Sequence, residues 1–182
     1  MNPAPTWSFL GPSGTFCEMA LRQVAPDDVV LDSCQDVPTA LDRVRDRAAE
    51  AAVVPIENSV EGGVNATLDN LVAGAPLVIT AEMAVPITFV LAGRPGVALD
   101  DVRAISTHPH AWAQCRGWVH QNLPEAVYVA GTSTSAPARA LAASDEDTGF
   151  QAVLCNPLAA QEYGLEVIAG GVADNPDAVT RF

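Results

Sequence analysis

The sequence predicts an α/β fold of two lobes, each a mainly parallel sheet flanked by helices, with a cleft between them. Three observations lead there. Short apolar runs rich in β-branched residues alternate with segments of helical period, and this alternation occurs twice along the chain. The junctions between the two kinds of segment are rich in glycine, hydroxyl and amide residues.

In chain order, strands are expected at residues 7–10, 29–31, 51–55, 77–80, 87–91, 102–106, 127–130, 152–154 and 165–169. Between them, Val37, Ala40, Leu41 and Val44 fall on one face of a helix, as do Val64, Leu68, Leu71 and Val72. Alternating strands and helices make successive strands parallel, with the helices as crossovers. The first set of elements occupies residues 7 to about 83 and the second about 86 to 170, with no residue-level repeat between the halves. Residues 93–96 and the acidic stretch 144–147 read as solvated loops, and no low-complexity linker interrupts the chain.

Composition narrows the function. At 182 residues and 49% hydrophobic, the chain is long enough to bury roughly 70% of its unfolded surface in a soluble globular body. The formal net charge is −13, and all 9 basic residues are arginine. That balance argues against nucleic acid as a partner. The absence of lysine excludes a Schiff-base lysine and the lysine of a Walker-type phosphate loop. Cys17, Cys34, Cys115 and Cys155 lack paired spacing, so they read as reduced, buried thiols. The first ten residues do not resemble a signal peptide, and no window reaches the ~18 apolar residues of a membrane span, so a cytoplasmic location without membrane contact is expected.

Four junctions carry the candidate chemistry: GPSGTF at 11–16, PIENSVEGG at 55–63, STHPHAWAQC at 106–115 and GTSTSA at 131–136. In a parallel sheet such loops emerge at the carboxyl ends of strands, where open α/β folds bind ligands. Each also opens a helix, so unpaired N–H groups and the positive end of the helix dipole face the same region. Together they suit a small carboxylate, even on an acidic protein, because charges beyond about 8 Å are largely screened. Taken singly, each Ser, Thr or Asn is better read as an ordinary cap or turn residue, and the case rests on the four junctions acting together.

His108 and His110 lie in the third junction; with Pro109 between them and no acidic or thiol partner nearby, hydrogen bonding is a better reading than metal binding. Glu57 and Glu61 can be read as an acid/base pair, or as carboxylates favoured by a helix dipole. Ser13, Ser59 and Ser135 lack a nucleophile-elbow context, which argues against a serine hydrolase. Thr180, on its residue type alone, is a β-branched residue beginning a strand.

Read in order, FLGPSGTF, VVPIENSVEGG, THPHAWAQC, TSTSA, NPLAAQEYGLEVI and DNPDAVTRF resemble the prephenate dehydratase family over essentially the whole chain. The resemblance implies a two-lobed catalytic domain similar to periplasmic-binding-protein type II folds. On this reading the first lobe comprises residues 1–83 with 176–182, and the second 84–175. The implied activity is that of a lyase converting prephenate to phenylpyruvate with loss of water and carbon dioxide, in phenylalanine biosynthesis, without cofactor or metal. The family pattern puts the catalytic hydroxyl on Thr180, with Arg181 and Phe182 beside it. It puts substrate contacts on Thr15, Glu57, Asn58, Ser59, Thr107, His108, Gln114, Ser133, Thr134 and Ser135.

A homodimer or larger homo-oligomer is also implied. Where the family commonly reads S-H-P-Q, this chain has Thr107, His108, Pro109 and His110, so an imidazole replaces an amide. The family's regulatory ACT domain is not expected in this chain, nor is feedback by phenylalanine. Two alternatives remain open: a prephenate decarboxylase that does not aromatise its substrate, and a non-catalytic module that binds small carboxylates.

Overall fold

The computed structural model describes residues 4–143 and 148–182; the acidic stretch 144–147, expected to be a surface loop, lies outside them. The chain divides into two compact units, Met1–Pro86 with Ala178–Phe182, and Ile87–Asp177.

The first unit opens with β1 (Thr6–Leu10), α1 (Phe16–Val24), β2 (Val30–Cys34), α2 (Val37–Arg45) and β3 (Ala51–Val53). The three strands form a parallel sheet in the order β2-β1-β3. As central strand, β1 is buried on both faces. Phe9 enters the apolar core, while Ser8, equally buried, donates its hydroxyl to the Ala40 carbonyl at 2.7 Å. A buried hydroxyl without that acceptor would cost about 1–3 kcal/mol.

Both helices begin on capping side chains. Thr15 accepts from Glu18 N at α1, and Asp36 accepts from Thr39 N at α2. Gly11 lets the loop after β1 pass close to β2, for a Cβ there would lie 1.9 Å from Ser33 Oγ.

The same unit contains a second, antiparallel sheet. Its members are β4 (Glu57–Asn58), β5 (Gly62–Gly63), β6 (Ala84–Pro86) and the terminal β12 (Val179–Arg181), in the order β5-β4-β12-β6; α3 (Asn65–Val72) follows β5. Phe182 and Met83 exchange backbone hydrogen bonds of 2.8 and 2.9 Å. Phe182, Met83 and Val85 pack with Phe9, Cys17, Ala20, Leu21 and Val53 in one buried cluster. The end of the chain is thus part of this core, each large side chain contributing about 1.5–3 kcal/mol by burial.

In the second unit, β7 (Val90–Gly93), β8 (Ala104–Thr107), β9 (Val127–Ala130), β10 (Ala152–Cys155) and β11 (Glu166–Gly170) form a five-stranded sheet ordered β11-β7-β10-β8-β9. The helices are α4 (Pro109–Asn122), α5 (Ala136–Ala143) and α6 (Pro157–Glu162), and a 3₁₀ turn spans Leu99–Asp101. Both β7 and β10 are buried at every position, which explains why they read as unbroken apolar runs.

The α/β class holds, but the sheets are mixed. Here β8, β9 and β10 pair in parallel, whereas β7 runs antiparallel to both β10 and β11. Alternation along the chain does not register strand direction, which is set by the path of each connection. Three local expectations also change. Residues 77–80 form no strand: Val78 and Ile79 are 83% and 68% exposed, and β-branched residues make a strand only where a partner completes the ladder. In α3 the buried residue is Thr67, whose hydroxyl donates to Pro55 O at 2.5 Å, while Val72 is 89% exposed. Periodicity identifies a helix without showing what packs against its apolar stripe. Finally, β4 and β5 are two residues each, too short to leave an alternating pattern.

Candidate active site

Thr180 stands at the middle of β12, opposite Asn58 of β4 on one side and Val85 of β6 on the other. It is 6% exposed, and its Oγ1 accepts a hydrogen bond of 2.7 Å from Asn58 Nδ2. The orientation of the Asn58 carboxamide follows from its other contacts. Its Oδ1 accepts from Val60 N at 2.8 Å and from Glu61 N at 3.2 Å. The reverse orientation would set an amide NH₂ against two N–H groups. With its oxygen committed to the turn, the carboxamide must donate to Thr180. The threonine therefore acts as acceptor toward Asn58, and its own O–H has no protein acceptor among the described residues.

Ser59 extends this arrangement beyond the two-residue β4. Its N donates to Val179 O and its Oγ accepts from Val179 N, both at 2.9 Å. On the other side of Thr180, Ile56 N donates to Arg181 O at 2.8 Å. The backbone of Thr180 is thereby held at both neighbours. The Arg181 guanidinium lies 3.1 Å from Glu57 and 3.6 Å from Glu82; these half-exposed pairs contribute about 0–1 kcal/mol each.

The PIENS loop and the terminal TRF, 122 residues apart at Asn58 and Thr180, are thus brought together within one unit. Other expected contacts are engaged elsewhere. Thr15, expected at the substrate, is the α1 cap and donates its own hydroxyl to Leu10 O at 3.2 Å. Phe182, also expected there, turns its ring into the core. In the second unit Thr107 is fully buried and donates to Leu154 O at 2.7 Å, so its proton is committed to a cross-strand bond. In all three the hydroxyl or ring is engaged by its own element or by the core, a partnership that position in the sequence does not record.

His108 caps α4, its Nδ1 accepting from His110 N at 3.3 Å, and the two rings meet edge-on with centroids 4.9 Å apart. Gln114 is half-buried on α4. Ser133 lies in the turn before α5, its Oγ accepting from Ala136 N at 2.9 Å. Ser135 is the informative member of its loop. It is 0% exposed, and among the described residues its Oγ is the only buried side-chain N or O without a partner. Such a group costs free energy unless something else satisfies it.

A buried carboxylate escaped notice in the sequence: Glu18 accepts from Gly14 N at 2.8 Å and pairs with Arg22, fixing the GPSG loop. The i, i+4 spacing of Glu18 and Arg22 was the available signal. Burial raises the thiols of Cys17, Cys115 and Cys155 to about 12, which removes them as nucleophiles near neutral pH. Among the described residues no three His, Cys, Asp or Glu side chains gather as a metal cage, and no helix is long and apolar enough to cross a membrane.

These features define an α/β protein of two compact units, with Asn58 paired to Thr180 in the first and a buried, unpartnered Ser135 hydroxyl in the second. A model of the family described as prephenate dehydratase matches residues 7–182. The chain belongs to the prephenate dehydratase family. It is 45% identical over 177 residues to a prephenate dehydratase of Amycolatopsis methanolica, covering 96% of this chain and 56% of that protein. The structure of a prephenate dehydratase from Arthrobacter aurescens in complex with L-Phe has TM-score 0.90 and 57% identity, covering 97% of this chain and 57% of that one. GqqA, described as a novel type of quorum quenching acylase, has TM-score 0.74 and 27% identity over 97% of this chain and 62% of its own. The chain spans a little over half the length of the curated relatives it matches.

Proposed function

We propose that this chain is a hydro-lyase that converts prephenate to phenylpyruvate, water and carbon dioxide in phenylalanine biosynthesis. The observation that carries the reading is the 2.7 Å bond from Asn58 Nδ2 to Thr180 Oγ1, which leaves the threonine O–H directed away from Asn58 as a donor. Family membership supports the same substrate. The likeness to GqqA means that the fold alone does not select the chemistry, so the weight falls on this pair.

Prephenate carries two carboxylates and a ring hydroxyl. In the reaction the bond from the ring to its carboxylate breaks, and that electron pair completes the aromatic ring. The pair of the C–O bond leaves with the hydroxyl oxygen, which becomes water on taking a proton. The protein has to stabilise charge developing on the departing oxygen. A positioned donor about 2.6–3.2 Å away contributes on the order of 10² to 10⁴ in rate. We assign that donor to Thr180. A threonine hydroxyl is too weak an acid to ionise at neutral pH, so it hydrogen-bonds to the leaving oxygen while the proton comes from solvent.

Ser59 acts by holding Val179, and Glu57 by pairing with Arg181. His108, Gln114, Ser133, Thr134 and Ser135 are proposed as substrate contacts; the unpartnered buried hydroxyl of Ser135 is the observation in favour of its loop. Preorganised neutral donors of this kind stabilise carboxylates at low reorganisation cost. The reaction is assigned to the cytoplasm, in keeping with four cysteines that form no disulfide, and the chain to a homo-oligomer on the family pattern.

The test is incubation of the 182-residue chain with prephenate, with phenylpyruvate followed by its ultraviolet absorbance in alkali. Phenylpyruvate should accumulate, and Thr180→Val should abolish most of it. Loss of carbon dioxide without phenylpyruvate would replace the reading by a non-aromatising decarboxylase, and binding without turnover by a carboxylate-binding module.

A further inference from the structure

The segment before β12 is interlocked with α4. Asp174 N donates to Gln114 O at 2.7 Å, while its carboxylate accepts from Gly117 N and Trp118 N, both at 2.8 Å. Those N–H groups lie inside α4, where a regular helix bonds each N–H to the carbonyl four residues earlier. For Trp118 that carbonyl is Gln114 O, which here takes the Asp174 N–H. Asp174 thus grips one turn of α4 from both sides, its carboxylate on two N–H groups and its own N–H on the Gln114 carbonyl.

Gly117 makes this possible. A Cβ at that position would lie 2.8 Å from Asp174 Oδ1 and 3.0 Å from its Cγ. Glycine inside a helix costs about 1 kcal/mol relative to alanine, so an exposed helical glycine calls for a local reason, and the Asp174 carboxylate supplies it.

We infer that Asp174 is a positioning residue for the reaction: through Gly117, Trp118 and the Gln114 carbonyl it sets the turn of α4 that carries the Gln114 side chain. The inference rests on the dehydratase reading, in which Gln114 contacts substrate. Asp174 itself need not touch substrate.

The experiment is steady-state kinetics with prephenate on Asp174→Ala, Gln114→Ala and the double variant, with hydrogen exchange at the Gly117 and Trp118 amides. Asp174→Ala should expose both amides and raise KM about tenfold, the loss expected for one well-placed hydrogen-bonded contact, with kcat within about threefold of wild type. Since Asp174 acts through Gln114, the double variant should be no worse than Gln114→Ala alone. Gly117→Ala should reproduce the Asp174→Ala kinetics by displacing the carboxylate, and should add nothing when Asp174 is already alanine. Asp174→Asn, which keeps the shape and one acceptor, serves if the alanine variant does not fold, and should give an intermediate KM. Unchanged KM in the Asp174 variants, or additive losses with Gln114→Ala, would overturn the inference while leaving the dehydratase reading in place. Absence of turnover in the unmodified chain would overturn both.

Discussion

Replacing Asn58 by aspartate exchanges one donor for one acceptor at nearly constant shape, and so isolates the direction of the hydrogen bond to Thr180. The carboxylate retains an oxygen for Val60 N and Glu61 N, so the turn should persist with stability close to wild type. The second oxygen then faces Thr180 Oγ1 across the 2.7 Å that separates donor and acceptor in the native pair. The threonine must now donate, and an O–H to carboxylate bond is roughly twice as strong as its neutral counterpart. The proton proposed to assist the leaving hydroxyl is thereby sequestered.

The loss in kcat should approach the full value of a positioned donor, on the order of 10² to 10⁴, equivalent to about 3–5.5 kcal/mol at 1.36 kcal/mol per decade. Repulsion between the new charge and a dianionic substrate will appear in KM, so kcat from phenylpyruvate formation is the decisive quantity. Thr180→Val should show a comparable loss and in addition leave Asn58 Nδ2 unpartnered, at a cost of about 1–3 kcal/mol in urea unfolding. Thr180→Ser, which keeps the hydroxyl, should retain much more activity than the valine variant. An Asn58→Asp protein with wild-type kcat would refute the reasoning, because its threonine would be turning over substrate with its proton already engaged.

Three further outcomes are expected. Thr15→Ala should cost about 0.5–2 kcal/mol in urea unfolding, toward the lower end given the 3.4 Å cap bond, and should leave turnover unchanged; a large drop in kcat would show that Thr15 contacts substrate as well as capping α1. Gly11→Ala should destabilise the chain by roughly 1–3 kcal/mol, because the new methyl meets Ser33 Oγ at 1.9 Å and Cys34 O at 3.3 Å; a melting temperature equal to wild type would show that β2 moves aside freely. The hydrogen bonds from Thr39 hold the Asp36 carboxyl below its ordinary range. Its capping contribution is therefore complete above the unfolded value of about 3.9 and disappears as pH falls through the lower folded value. The difference in urea midpoint between wild type and Asp36→Ala should shrink in that acid window, and a pH-independent difference would remove the cap from the account.

The strands and helices that bury two faces or one clear stripe are legible in the sequence itself. Residues 7–10 and 152–154 are strands, and Val37, Ala40 and Leu41 mark the inner face of α2. The order of the short motifs also identified the family. Both kinds of information are local: a period of two or 3.6 records solvent and core on opposite faces, and a motif records residue types at fixed spacing. What the local signals omitted was partnership. Residues 77–80 have the composition of a strand but no ladder, and Val72 extends the apolar stripe of α3 without being covered. Only the fold decided that β7 runs antiparallel to its neighbours, that Thr107 and Phe182 turn inward, and that the Asp174 carboxylate bonds to backbone N–H groups of α4. The same holds at Thr180, whose residue type specified a β-branched strand former with a hydroxyl. That this oxygen accepts from a carboxamide 122 residues away, leaving its proton to point elsewhere, is a property of pairing β12 with β4 in one register, and long-range register is set by the packing of the whole unit.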